Sequence, residues 1–479
     1  MDFDEALAFL DDRLNLEQSP AIAGEIEGLS LEPMRRVVGV LGEPQQAYPV
    51  VHLTGTNGKG STARMVSALV MAQGLTVGTY TSPHLEDVTE RISWDLAPID
   101  HDELARVIGE LAALEPLMRE ELAGVTSQPP SYFELLTAAA YAWFAEVAVD
   151  VAVAEVGLLG TWDATNVADA AVAVITNIGR DHTDGTGDWR QRIAAEKAGI
   201  IKPDSHVILG ETADDVRPIF DGRPSAGLWL RDRDFGWDNG AVAVGGRIAD
   251  IHTPNGTYEQ VFLPFHGPHQ ADNAALAVAA VESLMGRRLD DAAVSEAFAA
   301  LTLPSRFEVL HRGPLLVLDG AHNPDGARSV ARTLSDEFSV SGRRRWVLGL
   351  LAGRDIDLML DGCGLVEGLD TDDEVVVCYA GPTRGASTDE VAARVAARGI
   401  PVEVIPDVPT AVLHAWEAAA VTEAAGNVSD AVLVTGSLKT TGLARPAIRK
   451  LGLLGPVQVD TPLGSASAAL QQRRDDERF

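Results

Sequence analysis

Cysteine is almost absent: Cys363 and Cys378 are the only two in 479 residues. Two thiols without metal-ligand spacing exclude a disulfide framework and a cysteine metal site, and they fit a reducing cytoplasm. Basic residues are few beside acidic ones, 38 Lys and Arg against 70 Asp and Glu, a formal net charge of -32. That field disfavours nonspecific binding to nucleic acid or to an anionic membrane surface, and a polyanionic substrate would need local positive charge. No apolar run reaches membrane-spanning length, the acidic start Met1-Asp2-Phe3-Asp4-Glu5 lacks a signal-peptide pattern, and no short repeat is present. The expectation is a cytoplasmic monomer with neither a nucleic-acid nor a membrane partner. The remaining composition, 46% hydrophobic and 23% charged, is an ordinary soluble mixture at a length for two or three domains.

Apolar positions at helical spacing predict helix within residues 3–43. Strands then alternate with helices: Val50–Thr54, helix from about Ser61 to Gln73, Val77–Tyr80, helix Tyr132–Val147, Val149–Val156, Ala171–Ile178, helix Ile193–Ile200 and His206–Leu209. Such alternation predicts a mostly parallel sheet covered by helices. Residues 226–265 read as a small antiparallel excursion, and Gln270–Met285 as an Ala-rich helix. Alternation restarts later, with strands Leu315–Leu318, Trp346–Leu350, Glu374–Tyr379, Val402–Ile405 and Ala431–Val434. The expected fold class is α/β: an N-terminal P-loop domain over 1–302 with a mostly parallel sheet and a small β excursion, a hinge at 303–313, a C-terminal Rossmann-like α/β domain over 314–457, and a mobile tail at 458–479. No dinucleotide glycine fingerprint follows the first strand of the second domain.

The sharpest local signal is the run Val50 to Thr62, an apolar strand, a glycine-rich turn with one lysine, and a helix. Backbone N–H groups freed by Gly55, Gly58 and Gly60 can surround phosphate oxygens, helped by the positive helix N-terminus. Lys59 supplies a mobile charge for the outer phosphates, and Ser61 or Thr62 a hydroxyl for Mg2+. The turn departs from G-x-x-x-x-G-K-[ST], since Leu53 takes the first glycine position and Gly60 follows the lysine. An ordinary GTPase or kinase is therefore disfavoured. In open parallel sheets ligands sit beyond strand carboxyl ends. Ser82 and His84 follow the second strand, Glu155 ends the next apolar run, and His182 follows Asn177-Ile178-Gly179-Arg180-Asp181. A hydroxyl, a carboxylate and an imidazole make an acceptable magnesium shell near the loop, although imidazole is an unusual ligand there. Lys197, on a helix, and Lys202 read from their surroundings alone as solvated lysines.

The order of motifs is more specific than any one of them. Thr54–Thr62, Thr81–Leu85, Tyr132-Phe133-Glu134, Glu155-Val156-Gly157, Asp163-Ala164-Thr165-Asn166, Asp181-His182 and Glu196-Lys197-Ala198-Gly199 come first. His269-Gln270-Ala271-Asp272-Asn273, Pro304–Glu308, Asp319–Pro324 and Thr435–Leu438 complete the set. To about residue 450 the chain resembles the folylpolyglutamate synthases, including bifunctional dihydrofolate synthases, which are related to the Mur ligases. The resemblance implies an ADP-forming ligase adding L-glutamate to folate or dihydropteroate. By it Gly55, Thr56, Asn57, Gly58, Lys59, Gly60, Ser61 and Thr62 hold ATP, and Asn273, Arg306, Asp319 and His322 reach it from elsewhere. Mg2+ is implied at Ser61, Ser82, Glu155 and His182. Lys59, Lys197 and His182 are the implied catalytic groups, Lys197 as a carbamate. Folate is implied in the cleft near the domain junction.

Three stretches depart from that pattern. Leu159 and Thr161 replace a glycine and an arginine of Val-Gly-Leu-Gly-Gly-Arg, Ser305 replaces the glycine of Pro-Gly-Arg, and Gly185-Thr186-Gly187 replaces a leucine-glycine ending. These bear on loop shape and substrate preference. Two other readings remain open at this point: a cell-wall amino-acid ligase, for whose uridine-nucleotide domain residues 1–49 look too short, and a non-catalytic nucleotide-binding switch, which would not require Arg306 and Asp319–His322.

Overall fold

The computed structural model describes residues 1–15, 30–180, 185–366, 372–381, 384–426 and 428–454. The expected tail at 458–479 lies outside them.

The first sheet has eight strands. They are β1 (Val50–Thr54), β2 (Val77–Tyr80), β3 (Ile92–Trp94), β4 (Ala97–Pro98), β5 (Val151–Glu155), β6 (Ala170–Ile175), β7 (His206–Leu209) and β8 (Gly227–Leu230), ordered β4-β3-β2-β5-β1-β6-β7-β8. β2, β5, β1, β6, β7 and β8 pair parallel, and the β3-β4 edge runs antiparallel. Every residue of β1, β2 and β5 is buried, as expected of strands covered on both faces. One face packs helices Lys59–Ala72, Pro268–Met285 and Asp291–Ala300. The other packs Phe3–Asp11, Glu32–Val40, His101–Leu122 and Tyr132–Glu146.

The excursion is a three-stranded antiparallel sheet, β9 (Gly236–Ala243), β10 (Gly246–Thr253) and β11 (Gly256–Leu263), ordered β11-β10-β9. It begins later than the expected 226, because β8 pairs parallel with β7 and belongs to the large sheet.

The second sheet contains β12 (Glu308–Arg312), β13 (Leu315–Leu318), β14 (Arg344–Leu348), β15 (Asp373–Val377), β16 (Val402–Val404) and β17 (Ala431–Thr435), ordered β12-β13-β17-β14-β15-β16. All pairs are parallel except β12 with β13. Strand β12 falls inside the segment expected as a hinge, 303–313, so the connection between the sheets narrows to residues 301–307. Among the described residues no helix is long and apolar enough to cross a membrane.

Candidate active site

The chain reverses direction across the first sheet around β1, whose carboxyl end lies between those of β5 and β6. That is where an open α/β sheet leaves a crevice. The turn there caps helix Lys59–Ala72 with Gly58, at φ +85°, and Gly55 has φ +151°. A Cβ on Gly58 would run into Asn273 Oδ1, and one on Gly60 would lie 3.2 Å from Glu155 Oε2. The cradle is therefore backbone, shaped by side chains pressed against it. Thr56, Asn57, Gly58, Lys59, Gly60 and Ser61 line the cleft. Gly55 and Thr62 are not among its lining residues: the Gly55 carbonyl accepts from Lys59 Nζ (3.0 Å) and Lys197 Nζ (2.8 Å), and Thr62 is fully buried.

Glu155 and Ser82 meet at this end, the Ser82 N–H donating to Glu155 Oε2 at 3.2 Å. Burial raises the Glu155 carboxyl above its ordinary value, against the pull of Lys59, the Ser82 N–H and Arg306. The structure thus brings Ser61, Ser82 and Glu155 to one wall of the cleft. His182 and Asp181 lie outside the described residues. Lys197 is no solvated lysine; it is buried behind the loop, its Nζ on the Gly55 carbonyl. Lys202 is half-buried, its Nζ donating to the Asn166 carbonyl at 3.2 Å.

The opposite wall comes from the second sheet. Asp319 follows β13, and its carboxylate accepts from the Phe307 N–H (2.7 Å) and the Ala321 N–H (2.8 Å). Burial raises its pKa, with Arg306 opposing. Arg306 sits in a turn whose flanking residues Ser305 and Phe307 have φ of +56° and +46°. The chain keeps a glycine-like backbone where Ser305 stands, and the Ser305 Oγ is buried with no hydrogen-bond partner. Leu159 behaves alike: φ is +64°, and its carbonyl accepts from Thr54 Oγ1 at 2.6 Å. Thr161 fastens its loop to the Glu196 carbonyl through both N–H and Oγ1, 2.9 Å each. Leu159 and Ser305 thus hold the left-handed backbone that glycine favours.

The two walls touch. Asn57 Nδ2 donates to Asn323 Oδ1 (3.3 Å), and Asn323 Nδ2 donates back to Asn57 Oδ1 (2.8 Å). Asn323 also caps helix Pro324–Glu337, accepting from the Gly326 N–H at 2.9 Å. Farther along that helix, Ser329 Oγ is 2.8 Å from His269 Nδ1, and burial lowers the His269 pKa to about 4. At its end Glu337 is enclosed by Arg247, by His266 Nδ1 (2.8 Å) and by the Gly267 N–H (2.9 Å). Sequence reasoning missed this seam. Asn57 and Asn323 both stand inside recognised motifs, but nothing in their spacing says that they meet.

The cleft holds about 1110 Å³. Beyond the phosphate loop its lining turns apolar, with Met34, Tyr132, Phe133, Leu158, Leu159 and Trp162. Trp162 is 45% exposed, so a large indole faces open space beside the loop. One end thus suits polyanion and hard cation; the other suits a flat, largely apolar ring. His322 lines the polar end, its Nδ1 3.0 Å from the Gly320 carbonyl, and Asn273 and Arg306 line it too.

Known proteins resemble this chain along most of its length. The Mur ligase middle domain matches residues 130–281, and the Mur ligase, glutamate ligase domain, matches residues 305–438. The dihydrofolate synthase/folylpolyglutamate synthase of Mycobacterium tuberculosis is 39% identical over 446 residues, 87% of this chain and 89% of that protein. A crystal structure of the folylpolyglutamate synthase of that organism, complexed with ADP and AMPPCP, superposes with a TM-score of 0.84 at 36% identity, covering 93% of this chain and 98% of the other. A bifunctional folylpolyglutamate synthase/dihydrofolate synthase with Mn, AMPPNP and L-glutamate bound gives 0.76 at 28% identity, covering 94% and 98%.

Proposed function

The chain belongs to the dihydrofolate synthase/folylpolyglutamate synthase family, and on that premise we propose that it couples L-glutamate to a folate through an acyl phosphate made from ATP. One observation carries the reading: Asn323, next to Asp319–His322, closes directly on the phosphate loop through Asn57, so both halves meet where the reacting phosphoryl group would lie. A switch that only bound nucleotide would not need the second wall.

A carboxylate is a poor electrophile because its leaving oxide is too basic. In this reading a carboxylate oxygen of the acceptor attacks the γ-phosphorus, the bond to ADP breaks, and an acyl phosphate forms. The glutamate amine attacks its carbonyl carbon, the tetrahedral intermediate expels phosphate, and the amine gives up a proton as the amide forms. The glycine turn and Lys59 neutralise and align phosphate oxygens. Arg306, on its fixed turn, adds positive charge from the linker. Ser61, Ser82 and Glu155, with His182, form the expected oxygen-rich magnesium set; Mg2+ would supply charge neutralisation on the transferring group. Lys197 is assigned as a carbamate (amine plus CO2, one proton lost), which keeps an N–H for the Gly55 carbonyl and adds a carboxylate. The apolar end around Phe133 and Trp162 takes the pterin of folate or dihydropteroate. Asn273, Asp319 and His322 complete the nucleotide side. We read the protein as a monomer, and as a protein of the cytoplasm, where two free buried thiols are at home.

Purified protein should convert ATP to ADP and phosphate only when glutamate and a folate or dihydropteroate are both present. AMP and pyrophosphate as products would overturn the acyl-phosphate route, and turnover with a uridine-nucleotide-linked sugar acceptor instead would overturn the substrate assignment. Comparing dihydropteroate with tetrahydrofolate decides whether both activities reside here.

A further inference from the structure

We propose that Arg445 is a positioning residue for this ligation, tying the Ser82 loop to the turn that carries Arg306; the proposal rests on the function given above. Arg445 lies on helix Leu438–Lys450 and is 8% exposed, yet it has no part in the chemistry described so far. Its guanidinium bridges two carboxylates from different domains. Nε donates to Glu86 Oε2 and Nη1 to Glu308 Oε2, 2.7 Å each, and Arg449 adds a second contact on Glu86.

Each carboxylate is rigidly joined to a functional segment. Glu86 is four residues past Ser82, in a stretch fixed by Glu90, whose carboxylate accepts from the N–H groups of Leu85 (2.7 Å), Glu86 (3.0 Å) and Asp87 (3.0 Å). The Leu85 carbonyl packs so closely on the helix that a Cβ at Gly442 would collide with it. On the other side Glu308 accepts from the Ser305 N–H at 2.8 Å, at the start of the left-handed turn around Arg306. The turn is pinned again by Asp319 on the Phe307 N–H. One planar cation with a fixed fork of donors thus sets the relative placement of the Ser82 loop and Arg306, a task that lysine, a single point charge, does less well.

The test is steady-state kinetics of the full chain with Glu86→Gln, Arg445→Met and the double variant, read as ADP formed. Activity of the unaltered enzyme addresses the functional reading; the variants address this inference alone. Arg445→Met should lower kcat about 10- to 100-fold, the cost of misplacing a reacting group by around an ångström, while KM for ATP stays within about twofold. The double variant should be slower than Arg445→Met by no more than about twofold, because the Arg445–Glu86 tie is already gone and only the Arg449 contact on Glu86 is further weakened. A variant that melts earlier but keeps wild-type kcat and KM would reduce Arg445 to a structural residue and overturn the proposal. Losses that multiply in the double variant would overturn it too. Should Arg445→Met fail to fold, Arg445→Lys carries the test: an intermediate kcat supports the tie, and an unchanged kcat refutes it.

Discussion

The two sheets turn the same kind of edge toward the cleft and equip it in opposite ways. Beyond β1 the chain runs through bare backbone, with Gly58 in a left-handed conformation and Asn273 pressed where a Cβ would be. Beyond β13 and β17 the chain uses side chains, and it uses them on itself. Asp319 holds the N–H groups of Phe307 in the connection and of Ala321 in its own loop, and Ser437 caps the next helix by accepting from the Thr440 N–H at 3.0 Å. The helix N-terminus after Gly58 offers backbone N–H groups to an anion, while the Thr56 and Asn57 N–H groups are already held by Asn177. In the proposed reaction the first wall carries the phosphates, and the second adds Asp319 and His322 to the nucleotide side.

The strongest way to break this contrast is Lys59→Ala. It should lower kcat by about 10²–10³-fold, the usual scale for losing one positioned donor to transition-state charge, with the fold retained by circular dichroism. Near-wild-type turnover would remove the phosphate-loop assignment. Next comes a glycine pair. Gly58→Ala should raise KM for ATP at least about tenfold, since a left-handed L-residue alone costs about 1–2 kcal/mol and its Cβ meets Asn273. Gly436→Ala, at φ +108° with a Cβ only 2.6 Å from the Gly349 carbonyl, should instead lower the melting temperature and leave KM for ATP within about twofold. Equal effects on KM would erase the distinction between the walls.

A pH experiment sharpens it further. Burial pushes the Asp163 carboxyl up to about 6. For an acid raised in the folded state, the stabilising contribution is complete below its unfolded value and is lost as pH rises through about 6. Asp163→Asn, permanently neutral, should therefore gain on the wild type in unfolding free energy between pH 4 and pH 7, by at most about 3 kcal/mol, read as a growing difference in melting temperature. Asp319 is raised too but faces Arg306, so Asp319→Asn should show a shallower slope. A flat difference for Asp163→Asn across that range would show that its carboxyl is not perturbed. The smallest effect belongs to Ser305→Gly. Relief of the left-handed serine, offset by a more flexible unfolded chain, should stabilise by up to about 1 kcal/mol. A lower melting temperature would mean that the buried hydroxyl contributes after all.

Much of this was legible without coordinates. The β1 turn announced itself because glycines, lysine and helix coincide, and strands β5, β7, β13 and β17 were visible as short apolar runs. The β3-β4 hairpin was not. Its strands are three and two residues long, and its turn uses Asp95 and Leu96 at φ +49° and +62° where an Asn-Gly pair would have given the signal. Helix His101–Leu122 carries Pro116 inside it, which reads as a break. Strand β12 hid in a stretch ending Arg312-Gly313-Pro314, which reads as a connection. From spacing alone, single-segment features were legible and contacts between distant segments were not; Arg306, Asp319 and His322 came only through the resemblance. Lys197 is an example: its helix looks solvated until the loop it touches, more than a hundred residues earlier, is brought against it.

Helix Pro324–Glu337 deserves one mechanical consequence. Its fourteen residues span about 21 Å, from the enclosed Glu337 to the amide pair at Asn323. With the Glu337 end acting as a fulcrum, a swing of only about 5° would carry the tip by about 2 Å, enough to part both amide contacts. Because Ala327, Val330 and Leu334 of this helix are buried in the second domain's core, such a swing would carry that domain with it.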